Sequence, residues 1–306
     1  MEFVIKPEVH DALQGGRAVV ALESTVITHG LPFPDNLELA TDLESIVRAQ
    51  GAVPATIAVL RGHVHVGLTD FQISEIAHSH SARKCSLRDL PVACALGLDG
   101  STTVAATMRL ASRAGIRVFA TGGIGGVHRD APFDVSNDLA ELGRTRMTVV
   151  CAGAKSILDL PLTLERLETE GVTVIGYGTD HFPAFYSRSS GLPVDIRCDV
   201  PEDVAKIVGA REALGLEGST LVTVPVPIAD EVPPEIIEQA LARALKEAKA
   251  QGVTGKDTTP FLLDRISKLT GDASKRANLS LLRQNASVAS VIARVLADPA
   301  KRAILP

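Results

Sequence analysis

The sequence predicts an α/β protein in which mostly parallel β-strands alternate with helices. Short runs of β-branched residues, such as Val19-Val20 and Val149-Val150, are separated by stretches rich in Ala and Leu with helical spacing. Hydrophobic residues make up 45% of the 306 residues but aromatic residues only 3%, so Ala, Val, Leu and Ile have to build the core. Strands of β-branched residues alternating with Ala/Leu helices meet both requirements.

The first third of the chain already shows this alternation. Proline marks the helix starts, glycine pairs and turn residues separate the elements, and β-branched runs mark the strands. The predicted elements are, in order, a helix over Pro7–Leu13, a strand over Ala18–Leu22, a helix over Pro34–Gln50, a strand over Ala55–Leu60 with the returning arm Gly62–Gly67, a short strand entering a helix over Lys84–Asp89, and an Ala-rich helix that is capped by Gly100–Thr103 and ends at Ala114.

The rest of the chain continues the pattern and then becomes wholly helical. The predicted elements are strands over Ile116–Ala120 and Met147–Cys151, an amphipathic helix between Lys155 and Gly171, a strand over Val172–Gly176, an irregular segment over Thr179–Pro193, a strand over Val194–Cys198, a helix over Pro201–Leu214 and a strand over Thr220–Val224. From Pro233 onwards only helices follow, over Pro234–Gln251, Thr259–Leu269 and Ala273–Leu296. We therefore expect a helical C-terminal third.

Composition also limits the kind of ligand. The formal net charge is −5, and no basic run interleaved with aromatic residues is present, so we expect a small-molecule ligand and no nucleic acid polymer. No apolar run reaches the roughly 18 residues that span a bilayer, and Met1–His10 lacks the features of a signal peptide. We therefore expect a cytoplasmic protein that does not bind membranes. The four cysteines have no CxxC spacing and are interpreted as buried thiols.

Reactive residue types concentrate between Val118 and Asp159. In an α/β protein, ligands bind outside the carboxyl ends of the strands, and Lys155 lies four residues past such a strand. Desolvation there favours the neutral, nucleophilic form of an amine. Glu23 directly follows the strand Ala18–Leu22, where an active-site acid would lie; a solvated strand end is the alternative interpretation.

The glycine-rich loop Thr121–Arg129 fits neither the dinucleotide-binding motif nor the phosphate-binding loop of nucleotidases, so neither NAD nor ATP is indicated. Asp134 and Asp138 follow it with i,i+4 spacing, which places both carboxylates on one face if a helix begins there. Such a pair suits a hydrated Mg²⁺ or Mn²⁺ ion. Helix capping by Ser136 and Asp138 is the alternative.

Two further residues are candidates for the site. Lys84 is a second lysine that can face a pocket, with an exposed surface charge as the alternative. Asn278 is a neutral amide on a long apolar helix, where an unpaired amide is costly, so we expect its side chain to reach the site.

Six segments, found in the same order over nearly the whole chain, resemble the pseudouridine-5′-phosphate glycosidases. They are Ala21–Gly30, Val53–Ala58, Arg88–Pro91, Phe119–Arg129, Val149–Asp159 and Gly255–Leu263. The resemblance implies one domain over residues 1–306 with a three-layer α/β/α fold, and a homotrimer. It also implies reversible cleavage of the C–C glycosidic bond of pseudouridine 5′-phosphate to uracil and ribose 5-phosphate. A divalent cation, typically Mn²⁺, or another such as Mg²⁺, is implied as cofactor.

The resemblance also assigns roles to individual residues. Lys155 takes the place of the family's Schiff-base lysine, Glu23 that of the proton donor and Asp134 that of the metal-site carboxylate. The matching substrate-contacting positions are Ser136, Asn137, Asp138, Lys84 and the backbone of Val104. Two positions depart from the family pattern, where we expect a basic residue in place of Leu87 and a small apolar residue in place of Asn137. These departures concern the phosphate and base contacts.

The chemistry of a C–C glycoside accounts for these residue types. A carbon leaving group cannot be released by the carboxylate pair used for O-glycosides, but an iminium on Lys155 provides an electron sink. Glu23 then protonates the departing base, and Asp138 orders a water or a sugar hydroxyl. We expect the phosphate at Lys84 and the N–H groups of Thr102–Val104, with His128 or Arg129 as additional candidates.

Two other functions remain open from the sequence. One is an aldolase-like Schiff-base lyase that acts on a sugar phosphate and shares Lys155 but needs no pocket for uracil. The other is a non-catalytic sugar-phosphate sensor in which Lys84 and Lys155 only neutralise the phosphate.

Overall fold

A mostly parallel β-sheet forms the centre of the structure, a computed structural model that describes residues 3–129, 131–253 and 258–298. Residues Gly255–Asp257, which open the last of the six segments above, lie outside the described residues. The strands are β1 (Val4–Ile5), β2 (Val19–Leu22), β3 (Val53–Leu60), β4 (His63–Val66), β5 (Arg83–Cys85), β6 (Gly100–Thr102), β7 (Val118–Ala120), β8 (Val127–His128), β9 (Ala131–Val135), β10 (Thr148–Cys151), β11 (Leu158–Asp159), β12 (Thr173–Tyr177), β13 (Ile196–Cys198) and β14 (Thr220–Thr223).

The helices follow the alternation that the sequence predicts. They are α1 (Pro7–Gln14), α2 (Asp35–Ala49), α3 (Asp70–Ala77), α4 (Leu90–Ala95), α5 (Val104–Arg113), α6 (Asn137–Leu142), α7 (Leu160–Thr169), α8 (Pro201–Ala213), α9 (Pro234–Ala250), α10 (Thr258–Leu269) and α11 (Ala273–Ala297), with a π-helix over Val26–Gly30 and a 3₁₀ turn over Ile228–Asp230. The helical C-terminal third is therefore confirmed. In the described parts of the chain, no helix is long and apolar enough to cross a membrane.

The large sheet has the strand order β1-β4-β3-β2-β7-β10-β14-β12-β13, with β6 pairing to β3 and β5 to β6. All neighbours from β3 through β2, β7, β10, β14 and β12 to β13 are parallel, whereas β4 and β6 run antiparallel to β3. The carboxyl ends of β2, β7 and β10 consequently meet at one edge of the sheet. This is where the sequence predicts the site.

Helices cover the sheet on both faces. All eight residues of β3 are buried as a result. One group consists of α2, α8 and α11, with α11 packed along β2, β7 and β10. A second group consists of α5, α6 and α7, with α5 against β2 and β3. The three-layer α/β/α arrangement is therefore confirmed.

One element differs from the predicted order around Lys155. The chain does not enter a helix directly there but first forms β11, which pairs with β8 in a small sheet of order β11-β8-β9. The amphipathic helix α7 begins only at Leu160, where Asp159 caps it through the N–H of Leu162. The small sheet forms one side of the site described next.

Candidate active site

A cavity of about 410 Å³ opens at the carboxyl ends of β2, β7 and β10. Ten of the residues that the sequence nominates for the site line it, namely Glu23, Lys84, Val104, His128, Asp134, Ser136, Asn137, Asp138, Lys155 and Asn278. Thr102 and Arg129, nominated for phosphate contacts, are not among its lining residues. The ten lining residues come from six different parts of the chain, so the fold alone brings them together. Their individual roles remain predictions.

Glu23 follows β2 directly and faces the cavity. Its carboxylate accepts a hydrogen bond from the hydroxyl of Thr121, the first residue after β7. Burial raises the pKa of Glu23, and nearby Asp138 raises it further, whereas the charge of Lys155 and the Thr121 hydrogen bond lower it. Burial is the largest of these effects, so Glu23 holds its proton to a higher pH than an exposed glutamate.

Lys155 is positioned by two loops that continue the pairing of β7 and β10 beyond the strand ends. The N–H of Ala152 donates to the carbonyl of Gly122 at 2.8 Å, and the N–H of Lys155 donates to that of Ile124 at 3.1 Å. Gly153, with φ of +82°, makes the turn between them. A Cβ at Gly153 would lie 2.2 Å from the Pro183 carbonyl, so only glycine fits.

Asp138 joins two backbone segments of the site. It is 5% exposed, and its two carboxylate oxygens accept hydrogen bonds from the N–H groups of Ala105 at 2.9 Å and Gly125 at 2.8 Å. Ser136 caps α6 by accepting the N–H of Asp138 at 3.2 Å, as the capping interpretation predicts. A Cβ at Gly125 would lie 2.3 Å from the Ser136 hydroxyl, so this glycine permits the contact.

The capping expected of Gly100–Thr103 is wrong in its detail. Gly100–Thr102 form β6, and Thr103 occupies the N-cap position of α5 without making a side-chain cap bond. Asp138 supplies the acceptor instead, from a different helix, through the N–H of Ala105. A carboxylate at this position satisfies a helix N-terminal donor and interacts favourably with the helix dipole.

The expected helical pair of Asp134 and Asp138 is also wrong. Asp134 lies on β9 and is exposed, whereas α6 begins only at Asn137 and buries Asp138. Within the described chain, no group of three His, Cys, Asp or Glu side chains is placed to hold a metal ion. Asp134 nevertheless faces the cavity with a hard oxygen donor. This fits Mg²⁺ or Mn²⁺, which commonly retain several waters and use one or two protein carboxylates.

Basic side chains also line the cavity. Two of them are Lys84, on β5, and Arg88, whose side chain is 82% exposed, and the Asn137 amide donates to the Ser86 hydroxyl at 3.3 Å. The charge of Lys84 also lowers the pKa of Glu23. Arg129, in contrast, is not among the cavity-lining residues. Its guanidinium donates to both carboxylate oxygens of Glu238 at 2.8 Å, so the suggestion that it contacts a phosphate is not supported.

Some residues of the cavity were missed by the sequence reasoning. His29 projects from the π-helix, and its Nδ1 lies 2.5 Å from the Thr28 hydroxyl. Phe185 lines the cavity with a left-handed backbone, at φ of +65°, and packs against Gly123. A π-helix and a strained aromatic residue both occur often at functional sites, but neither has a sequence pattern that predicts it.

Comparison with known proteins places this geometry in a family. The profile of the family described as "Indigoidine synthase A like protein" matches residues 8–295. The chain belongs to this family. Among curated relatives, a pseudouridine-5′-phosphate glycosidase of Methylobacterium nodulans is 54% identical over 95% of this chain and 87% of its own. Another with the same name from Symbiobacterium thermophilum is 53% identical over 95% and 96%.

Two solved structures have the same fold. The prealnumycin C-glycosynthase AlnA, in complex with ribulose 5-phosphate, matches with a TM-score of 0.89 and 41% identity over 97% of this chain and 98% of its own. An indigoidine synthase A-like protein from Thermotoga maritima matches with a TM-score of 0.89 and 37% identity over 97% of both chains. The predicted family and its fold are therefore confirmed.

Proposed function

We propose that this enzyme reversibly cleaves the C–C glycosidic bond of pseudouridine 5′-phosphate to give uracil and ribose 5-phosphate. The names of the curated relatives support this substrate. The complex of AlnA with ribulose 5-phosphate supports a pentose 5-phosphate as the sugar half. The observation that carries the proposal is the meeting of Glu23 and Lys155 in one cavity, with the pKa of Glu23 raised by burial.

The first half of the reaction forms a bond to Lys155. The amine of Lys155 attacks C1′ of the sugar while the C1′–O4′ bond breaks, and the proton lost by the amine ends on O4′ as the 4′-hydroxyl. The uracil stays bonded to C1′ in this open-chain adduct. Because the loops Thr121–Gly125 and Ala152–Lys155 are held by backbone hydrogen bonds, the backbone of Lys155 is fixed beside the cavity from which its amine attacks.

The second half releases the base. Glu23 gives its proton to C5 of uracil, the C1′–C5 bond breaks with its electron pair restoring the C5=C6 bond, and the nitrogen lone pair forms the C1′=N iminium. Water then hydrolyses the iminium to ribose 5-phosphate and the free amine, and the surplus proton returns to Glu23. The net reaction consumes one water. Asp138, near Glu23 but bonded to two backbone N–H groups, keeps the loops in register.

We assign the phosphate to the part of the cavity that is lined by Lys84 and Arg88. Lys84 supplies charge, and the start of α5 at Val104 supplies the positive end of a helix dipole. Asp134 would hold a divalent cation, which when bound supplies positive charge for the substrate's oxygen atoms.

Homotrimeric assembly and a cytoplasmic location remain proposals drawn from the family resemblance and the sequence. The extent of the domain over residues 1–306 is likewise a prediction.

The test is uracil release from pseudouridine 5′-phosphate, followed by absorbance or chromatography with and without added Mn²⁺. We expect release that Mn²⁺ stimulates, and synthesis of the C-glycoside when uracil and ribose 5-phosphate are supplied together. An aldolase-like lyase would instead cleave a sugar phosphate without a base, and a sensor would bind ribose 5-phosphate without turnover. Either result would contradict the proposal.

A further inference from the structure

Helix α11 carries a buried amide that the reaction scheme above does not use. Asn285 is fully buried, and its Nδ2 donates to the carbonyl of Thr121 at 2.8 Å and to that of Gly122 at 3.3 Å. Its Oδ1 is buried without a hydrogen-bond partner in the described chain. Burying such a group is costly, so the position is expected to have a use beyond packing.

The two carbonyls lead to different parts of the site. Thr121 donates its hydroxyl to Glu23 and is itself only 2% exposed. Gly122 accepts the N–H of Ala152, at the start of the loop that ends in Lys155. One amide therefore contacts two consecutive carbonyls of a single loop, whose first residue supports the acid and whose second residue pairs with the lysine loop.

We propose that Asn285 is a positioning residue. Through the Thr121 and Gly122 carbonyls, it fixes the orientation of the Glu23 proton donor and the position of the loop that carries Lys155. This inference rests on the proposed function for the roles of Glu23 and Lys155, although the contacts themselves do not depend on it. Leu282 and Asn278, about one and two turns closer to the start of the same helix, line the cavity. Helix α11 thus contacts the cavity and also holds the backbone beneath it.

An apolar residue of similar size would fill the same space but leave both carbonyls without this donor. The N–H of Thr121 would still donate to the Val150 carbonyl at 3.0 Å, and the Gly122 carbonyl would still accept the N–H of Ala152 at 2.8 Å, but the Thr121 carbonyl would have lost the Asn285 donor. We expect Thr121 to shift as a result and its hydroxyl to move away from Glu23. That hydroxyl lowers the pKa of Glu23 by stabilising the ionised carboxylate, so its loss raises the pKa further. A rise in the pKa of Glu23 distinguishes a loss of positioning from a general loss of stability, which predicts no particular direction of change for that pKa.

The experiment compares Asn285→Leu with Ser290→Ala. Ser290 is also fully buried on α11, but its hydroxyl donates only to the Ala286 carbonyl of its own helix at 2.7 Å, which makes it a matched control. Titration of the Glu23 carboxyl is followed by ¹³C chemical shift, assigned by its disappearance in Glu23→Gln. Uracil release is measured over pH with the same proteins, and circular dichroism checks the fold.

We expect the Glu23 titration to move to higher pH in Asn285→Leu and to stay unchanged in Ser290→Ala. We also expect kcat to fall by about 10- to 100-fold with KM changed less than about threefold, because a misplaced acid harms the reaction more than binding. Should the leucine variant fail to fold, the same measurements are made on Asn285→Ser, whose hydroxyl is a donor on a shorter side chain.

An unchanged Glu23 titration in a folded variant overturns the inference, even if activity falls, because the residue would then act on stability alone. An unchanged kcat in an active enzyme overturns it as well. If the unaltered protein releases no uracil, the proposed function is wrong, and the Glu23 titration still decides whether Asn285 positions the carboxyl.

Discussion

Two groups of cavity residues are held in different ways. The first group, defined here as Glu23, Asp138 and Lys155, follows buried parallel strands or accepts backbone hydrogen bonds. The second group, defined as Lys84, Arg88 and Asp134, lies on β5 at the margin of the large sheet, on the turn before α4 and on β9 of the small sheet. The residues assigned to bond making are thus held by the central strands and by backbone hydrogen bonds, whereas the charged residues assigned to binding lie on short peripheral elements.

Exposure separates only some of these residues. Asp138 is 5% exposed, while the Arg88 side chain is 82% exposed and Asp134 is also exposed, but Glu23, Lys84 and Lys155 are all half-buried. The two groups therefore differ in their assigned roles, so a change in the first group should reduce the rate of the chemical step. A change in the second group should mainly weaken binding. The predictions below test this division.

The largest effect is expected at Lys155. Lys155→Ala removes the nucleophile, so uracil release should fall by about 10⁴-fold or more. In the unaltered enzyme, borohydride added with ribose 5-phosphate should reduce the imine to a stable adduct, and mass mapping should place it on Lys155. The adduct should be absent in Lys155→Ala and Lys155→Arg but present in Lys84→Ala. An adduct on Lys84, or uracil release without any adduct, would show that the covalent scheme is wrong.

The next effect is expected at Glu23. Glu23→Gln should lower kcat by roughly 10²- to 10⁴-fold while the borohydride adduct on Lys155 persists. The protonated acid is the active form, and burial raises its pKa, so kcat of the unaltered enzyme should fall as pH rises through that raised pKa. This fall should disappear in Glu23→Gln. A profile that keeps the same fall in the variant would assign it to another group.

A smaller effect is expected at Asp134. Asp134→Ala should abolish stimulation by Mn²⁺ and remove most activity, by about 100-fold, because the cavity loses the carboxylate assigned to the cation. Mn²⁺ titrations of uracil release measure this. Asp70→Ala, at an exposed carboxylate on α3 outside the cavity, is the control and should keep its metal response. Full metal-stimulated turnover in Asp134→Ala would contradict the assignment.

The smallest effect is expected at Lys84. Lys84→Ala should raise KM for pseudouridine 5′-phosphate by about 10- to 100-fold, since a hydrogen bond to a charged group is lost. Pseudouridine without its phosphate should be affected less than about threefold. Steady-state kinetics with both substrates give the ratio, and equal losses would place Lys84 away from the phosphate. The comparison of the two groups of residues also requires kcat to change less in Lys84→Ala than in Glu23→Gln.

Sequence reasoning predicted the parts of the site that depend on local pattern. β-branched runs located β2, β7 and β10, and parallel pairing then brought Glu23 and Lys155 to one edge of the sheet. It failed at Asp134, which has helical spacing to Asp138 but lies on β9, because β9 pairs with β8 in an irregular hairpin that the spacing does not indicate.

The choice between two amides on α11 shows the same limit. The sequence singled out Asn278 as costly to bury, and Asn278 does line the cavity. The fully buried amide, however, is Asn285, two helical turns further on. Both positions lie on the same apolar face, and only the location of the Thr121–Gly122 loop distinguishes them. The π-helix at Val26–Gly30 and the backbone of Phe185 also depend on such contacts.

The position of α11 in the chain has a consequence for synthesis. The Asn285 amide and the Thr121 carbonyl that it contacts are 164 positions apart, and α11 is made after every strand that it covers. A nascent chain therefore contains Glu23 and Lys155 before it has the helix that supports their loops. Because contacts between distant positions form slowly, we expect activity on refolding to return only with the slowest phase. The reactive amine would thus be kept inactive until the enclosing cavity is complete.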